Sequence, residues 1–282
     1  MRGGTAGRAA LLIGFLAFAL SAPAQAGTVE FDGVVTFRAA PGESNNLQIT
    51  EAAGGVFTIV DSVPLTTESC FQADVFTAVC SIEFGISVAA EMGDLDDTAV
   101  IVVDFAPRVD GGEGADTITV SADLFADASM DGGPGDDEIS TRATFSEIYG
   151  RGGNDLIDAR NGLVTEAFGG WGDDRLLGGI DEDFFVSNRG HDTLIGGAGR
   201  DVLHGDGGHD VVRGGRGHDV LSGSQGDDVI IGGAGSDFAR GGRGNDTFLM
   251  RDGYLDRIRG SYGFDRAAID QYDRVRFVER LL

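Results

Sequence analysis

The chain contains no lysine. All 21 of its basic residues are arginine, set against 46 Asp and Glu. The resulting net charge of −25 leaves no basic footprint from which a nucleic-acid contact could be built. It suits cation binding, or plain solubility. Proline is scarce, at 5 residues in 282, and tryptophan occurs once, at Trp171. The only cysteines are Cys70 and Cys80, too few ligands for a zinc site of their own. The apolar run Ala9–Leu20 has 12 residues, short of the roughly 20 that span a bilayer. No H-E-x-x-H, no G-x-S-x-G and no phosphate loop ahead of a helix is present. On these grounds we expect no enzyme and no stable membrane insertion.

The first 26 residues have the parts of an export signal. Arg2 and Arg8 give a charged start, Ala9–Leu20 an apolar stretch, and Ala24-Gln25-Ala26 a small-x-small cleavage site. We expect cleavage near Ala26 and a secreted, extracellular protein. The alternative is an uncleaved anchor, which the short run opposes. There is no twin-Arg pair, no Cys at the cleavage site and no apolar tail at the C-terminus, which points to general secretory export. In an oxidising compartment Cys70 and Cys80 are expected to pair, two free thiols being the alternative. So small a loop would add about 2–3 kcal/mol in the loop-entropy model.

What the chain has in quantity is glycine, 47 residues of it. Between Gly169 and Leu249 a nine-residue unit follows itself nine times without a gap: GGWGDDRLL, GGIDEDFFV, SNRGHDTLI, GGAGRDVLH, GDGGHDVVR, GGRGHDVLS, GSQGDDVII, GGAGSDFAR and GGRGNDTFL. Three more copies begin at Gly111, Gly132 and Gly150. The starts Gly111, Gly132, Gly150 and Gly169 are separated by 21, 18 and 19 residues. Two units therefore make one coil, and in this first half only one turn per coil keeps the motif. Glycine at a fixed period specifies turns rather than a flexible linker.

Position six is aspartate in all twelve copies: Asp116, Asp137, Asp155, Asp174, Asp183, Asp192, Asp201, Asp210, Asp219, Asp228, Asp237 and Asp246. Position eight is apolar in all twelve, from Ile118 to Phe248. Each unit then reads as a six-residue turn followed by a three-residue strand, with residue eight pointing inward and residues seven and nine outward. Two strands per coil would enclose a thin apolar core. Calcium is a hard cation that takes six to eight oxygens, backbone carbonyls included. One carboxylate and several carbonyls from neighbouring Gly-rich turns could fill that shell. Carboxylates stacked at the sheet spacing repel one another, so folding should be coupled to binding of a divalent cation.

These units, of the form G-G-x-G-x-D-x-U-x, resemble the hemolysin-type, or repeats-in-toxin (RTX), calcium-binding nonapeptides. The resemblance covers Gly111–Ala268 with interruptions. It implies a parallel β-roll with multiple Ca2+ ions between turns, the twelve aspartates being their ligands. Several residues depart from the pattern. Ser187, Asn188, Asp206 and Ser224 replace turn glycines, and Asp181 replaces the glycine at position four. Asn and Asp tolerate positive φ, which leaves the Ser187 turn as the most divergent. Family members that leave the cell by a C-terminal signal differ from this chain, whose apparent signal is N-terminal.

Residues 27–110 lack the repeat but alternate apolar and polar residues in short runs: Phe31–Arg38, Asn46–Glu51, Val56–Val60, Ser81–Val88 and Ala99–Phe105. They end in MGDLDDTAV, Met92–Val100, a degraded copy of the repeat. The expected organisation is a signal peptide (1–26), an all-β N-terminal cap (27–110), the calcium-binding roll (111–268) and a C-terminal cap (269–282). In the tail, RDGYLDRIR and GSYGFDRAA keep Asp256 and Asp265 at position six. His191, His209 and His218 at position five, with His204 at position nine, read as turn filler in preference to a transition-metal cluster. Trp171 reads as an exposed turn residue in preference to a sugar platform. The expected activity is calcium binding. An adhesin or surface-layer component with a cell-surface or polysaccharide partner is the alternative, and an extracellular enzyme sited in residues 27–110 a weaker one.

Overall fold

The computed structural model describes residues 27–282 except 32–33, 53–55, 63–64, 68–70, 73–76, 82–86, 105 and 123–126. The expected leader and, through Cys70, the expected disulfide lie outside the described residues. Among the described residues there is no helix, and the strands form two sheets of 14 and 15 strands. Every coil of the repeat region contributes one strand to each. Phe184–Arg189 lies in the first sheet, Thr193–Gly199 in the second and Val202–Gly207 in the first again. All strand pairs from Pro107 onward are parallel. The chain is a parallel β-roll.

Register follows from the period. Advancing one coil brings the same repeat position onto the neighbouring strand, so Phe185, Leu203, Leu221, Ala239 and Ile258 line up in the first sheet. Leu194, Val212, Ile230, Phe248 and Ala267 line up in the second. All are buried in one core that runs through the molecule. Burying one such side chain stabilises by about 1.5–3 kcal/mol. Because these strands are three to seven residues long, each places only one or two apolar side chains inside.

Residues 27–110 extend the same two sheets. Val34–Arg38 and Ser87–Glu91 pair in parallel with each other, and Ser87–Glu91 with Pro107–Asp110; Asn46–Ala52 pairs in parallel with Thr98–Val103. Beyond these the pattern turns antiparallel: Gly27–Phe31 on Val34–Arg38, and Val56–Val60 between Asn46–Ala52 and Thr77–Ser81. Two expected strands are resolved differently. The run Phe31–Arg38 is a hairpin, with Phe31 closing one strand and Val34–Arg38 forming the next. Ser81–Val88 is shared between Thr77–Ser81 and Ser87–Glu91, which lie in different sheets. Alternation alone does not separate one strand from two that pair with each other.

At the other end, Arg274–Arg276 and Arg280–Leu281 add the last strand to each sheet. The core there is covered by Ile269, Val275 and Val278. The final Leu281 and Leu282 stay exposed, so the C-terminal cap seals the core through Ile269, Val275 and Val278 and not through its last residues.

Candidate metal centre

The turns that join the two sheets carry the position-six aspartates in two rows. One row precedes the second-sheet strands: Asp97, Asp116, Asp137, Asp155, Asp174, Asp192, Asp210, Asp228, Asp246 and Asp265. Each backbone N–H donates to Oδ1 of the aspartate one coil further on, at 2.7–3.0 Å. The Asn45 N–H begins the row by donating to Asp97, and Glu279 ends it by accepting from Asp265. The other row precedes the first-sheet strands. There Asp183, Asp201, Asp219, Asp237 and Asp256 are linked in the same way at 2.8–3.0 Å. It starts at the Thr165 N–H and ends on Asp273.

The twelve aspartates singled out by the repeat are all in these rows. Asp97, Asp256 and Asp265 complete them, in copies whose glycines have degraded. All fifteen are buried, none more than 3 % exposed. The hydrogen bond occupies only Oδ1. Oδ2 is buried without a hydrogen-bond partner in Asp97, Asp116, Asp137, Asp155, Asp174, Asp192, Asp201, Asp210, Asp219, Asp228, Asp237, Asp246, Asp256 and Asp265. Such an orphaned acceptor in a folded protein calls for a positive partner. Burial raises the pKa of each of these carboxyls, opposed by the backbone N–H it accepts. Asp137, Asp201, Asp210 and Asp246 are pushed up to about 7 and Asp174 to about 8.

The open oxygen sits against the first residue of its own turn. A Cβ built on Gly223 would stand 2.0 Å from Asp228 Oδ2. At Gly111 a Cβ would be 2.5 Å from both Asp116 Oδ2 and the Gly132 carbonyl of the next coil. Glycine there keeps open a cradle on which a carboxylate oxygen and a carbonyl oxygen from successive coils converge. Position four is glycine for another reason: Gly217 has φ +143°, and a Cβ would stand 1.5 Å from the Gly199 carbonyl oxygen stacked beside it. Among the described residues no three His, Cys, Asp or Glu side chains converge on one point. The donor set at each turn is therefore one carboxylate with backbone carbonyls, all hard oxygens, which fits calcium and not a soft transition metal.

The departures from the motif are informative. Arg151, Asn188, Asp206, Ser224 and Ser261 all stand at position two with positive φ, from 66° to 108°. The turn keeps its shape without glycine there. Ser187 is fully buried, and its hydroxyl donates to the Gly205 carbonyl at 2.8 Å, which keeps the turn expected to diverge most within the row. The turn that differs is Gly178–Asp183. With Asp181 at position four, the Gly179 N–H donates to Asp183 Oδ2 at 2.9 Å. Asp183 is thus the position-six aspartate whose second oxygen is already satisfied.

A further row, outside the first, escaped the sequence reading. At position five, Asp136, Asn154, Asp173, His191, His209, Asp227 and Asn245 each accept a hydrogen bond from the next position-five N–H of their row. His191 and His209 take part through Nδ1 and stack with ring centroids 5.1 Å apart. On the opposite edge His218 Nδ1 accepts from the Ser236 N–H. The histidines are thus spaced along turns rather than gathered at one centre. The available signal was the recurrence of short polar acceptors at position five every 18 or 19 residues. Trp171 is 70 % exposed at its turn.

Comparison with known proteins agrees with this geometry. The model of the RTX calcium-binding nonapeptide repeat, four copies long, matches residues 108–123, 131–162, 167–185, 186–221 and 213–248. No curated protein matches the chain. With matched segments that follow the stacked turns from the first complete repeat to the last, the chain belongs to the RTX calcium-binding nonapeptide repeat family and binds Ca2+ at multiple repeat sites.

Proposed function

We propose that the position-six carboxylates, together with carbonyls of the Gly-rich turns, are the ligands of these calcium ions, and that calcium binding drives folding of an exported chain. The observation that carries this is the row of buried Oδ2 atoms without partners. Neighbouring carboxylates at the sheet spacing of about 4.8 Å repel by about 0.8 kcal/mol even at the dielectric of water, and several-fold more near a protein surface. Repeated along two rows, that repulsion rivals the roughly 5–15 kcal/mol that holds a whole domain together. A divalent cation beside each open oxygen reverses its sign. Asp97, Asp256 and Asp265 join the twelve motif aspartates as ligands. Asp183, with its second oxygen capped, is the weakest of them.

The paired carboxylates that could suggest a hydrolase are taken up by the rows, which supports a binding module rather than an enzyme. The leader-like first 26 residues support release outside the cytoplasm. N-terminal sequencing of protein recovered from the medium tests that, with Gly27 as the expected first residue and retention of Met1 in the cell as the opposing result.

Far-UV circular dichroism during a calcium titration from chelated protein, with magnesium as control, tests the folding claim. A cooperative rise of β signal with calcium and not with magnesium is expected. A spectrum already β-rich in chelator and unmoved by calcium would overturn it.

A further inference from the structure

The outer face of the first sheet carries two columns of side chains that run coil by coil along the roll. Over the last eight strands, from Phe145–Gly152 to Arg274–Arg276, the first runs from Glu147 and Glu166 to Arg257 and Arg274; before them it continues back through Ser129 to Arg108. Between Glu166 and Arg257, in register, stand Phe184, Val202, Val220 and Phe238. Over the same strands the second column runs from Tyr149 and Phe168, whose rings stack at 5.1 Å, to Arg240, Arg259 and Arg276; Asp131 and Asp110 precede it. The face is therefore negative at one end, apolar and aromatic in the middle, and positive at the other end.

The arginine end is the anomaly. In a chain of net charge −25, five exposed arginines occupy adjacent rungs. None of the five has a carboxylate within salt-bridge distance among the described residues. Like charges facing each other across neighbouring strands are destabilising. Phe184 and Phe238 are also exposed, at 37 % and 42 %.

We propose that this face binds a second copy of the same chain, face to face and antiparallel, about a two-fold axis parallel to the strands. Such an axis reverses the order of coils and keeps the columns opposite themselves, the isologous arrangement of most homodimers. With the axis between the Val202 and Val220 rungs, Glu147 comes opposite Arg274 and Glu166 opposite Arg257. Phe184 meets Phe238, and Val202 meets Val220. In the second column Tyr149 and Phe168 come opposite Arg276 and Arg259, and Val186 opposite Arg240, so that guanidinium groups lie on apolar surface and not on one another. The same register sets Trp171 against Tyr262, which are 70 % and 75 % exposed. Its one like-charge pairing, Arg189 with Arg243, lies at the turn margin. A parallel copy would crowd the arginine ends together and leave the carboxylates without arginine partners, so charge order selects the antiparallel one.

Eight strands at about 4.8 Å make a face about 34 Å long. At a width of about 12–15 Å the pair buries about 800–1,000 Å², the low end for specific association. The dimer is accordingly weak, reversible and salt-sensitive. A polyanion such as duplex DNA fits the arginine end less well, because its dense charge would run on over the carboxylate end of the same face.

Sedimentation equilibrium of the calcium-loaded full chain, with circular dichroism as a fold control, decides the matter. At low salt the wild type is expected to form dimers in the range of about 10–100 µM and to dissociate in about 0.5 M salt. R257E and E166R, two independent exposed substitutions, are each expected to weaken association at least about tenfold, as facing like charges do. The charge swap E166R/R257E is expected to restore it. A monomer at about 100 µM in low salt, within the range expected for so small an interface, would overturn the proposal. So would a dimer indifferent to R257E and E166R, or failure of the charge swap to restore what the single changes remove.

Discussion

Along the edge that precedes the second sheet, every coil from Asp97 to Asp265 carries a buried aspartate, whereas on the opposite edge, among the described residues, the row of buried aspartates begins only at Asp183. In the two coils before that point, between Thr141 and Gly162, the second edge is closed by hydroxyls and small residues. Thr141 and Ser146 hydrogen-bond through their hydroxyls at 2.9 Å, the Ala143 N–H donates to the Thr141 hydroxyl, and Ala143 and Ala159 are fully buried. The Gly162 N–H turns back onto the Ala159 carbonyl at 2.9 Å. These turns satisfy themselves. The aspartate turns leave one oxygen open per coil. Need for a cation is therefore a property of an edge and not of the roll as a whole, and the half of the molecule after Thr165 carries that need on both sides.

Removing calcium should break this comparison most visibly. By hydrogen exchange in chelator, Val202–Gly207, Val211–Gly217 and Val229–Ala234 are expected to lose all measurable protection. Val34–Arg38 and Asn46–Ala52, remote from the doubled rows, are expected to retain part of theirs. Uniform loss across all strands would show that the two halves unfold as one unit.

Acid should partly replace the metal. The carboxyl pKa values are raised by burial, to about 7 at Asp137 and Asp210, so between pH about 4 and about 7 the folded, calcium-free roll holds protons that the unfolded chain has released. Its stability therefore rises as pH falls through that window and is lost as pH climbs through about 7. Circular dichroism of chelated protein against pH is expected to show β signal appearing on acidification. A signal that falls with acid would mean the carboxylates are stabilised as anions by something other than a cation.

Single substitutions sharpen the contrast further. Asp210→Ala leaves the buried Asp192 N–H without its acceptor and is expected to cost about 2–4 kcal/mol in calcium, by denaturant unfolding. Asp210→Asn keeps the acceptor and drops the charge, so it should weaken calcium affinity yet stabilise the chelated protein. Gly223→Ala, which puts a Cβ 2.0 Å from Asp228 Oδ2, is expected to cost about 2–3 kcal/mol, typical of overpacking. Gly162→Ala on the hydroxyl edge meets nothing closer than 3.2 Å and should cost less than about 1 kcal/mol. Equal costs would erase the distinction between the edges. The smallest effect belongs to the outer row. His191→Ala removes the acceptor for the exposed His209 N–H, a loss of about 0.5 kcal/mol that water largely makes good, and His191→Asn should restore it.

Much of this was legible in the sequence, because one period sets everything at once. The 18-residue coil, the inward position eight and the buried position six all follow from repetition, and Ile118 through Phe248 occupy the core as their spacing predicts. What was not legible depends on single turns. Asp256 and Asp265 stood at position six in units whose glycines had faded, and only the continued hydrogen-bonded row shows that they belong with the twelve. Arg151 and Ser261 adopt positive φ in places where composition argues against it, because stacking on the neighbouring turn dictates the backbone. Asp183 kept every sequence feature of a ligand, yet the turn around Asp181 hands its second oxygen to Gly179. The hairpin at Phe31–Arg38 was concealed by an alternation that strands and hairpins share.

Every hydrogen bond in the aspartate rows points the same way, from the N–H of one coil to the carboxylate of the next. The roll thus has the polarity of a filament with a distinct head and tail. At the head the unfilled group is an acceptor, and the backbone donor at Asn45 fills it; the shorter row starts the same way part-way along, at Thr165. At the tail it is a donor, and carboxylates at Glu279 and Asp273 receive it. Head and tail would otherwise fit each other, and copies could add end to end without limit. One borrowed N–H group at the head and two borrowed carboxylates at the tail give the filament its ends and make it a molecule of fixed length.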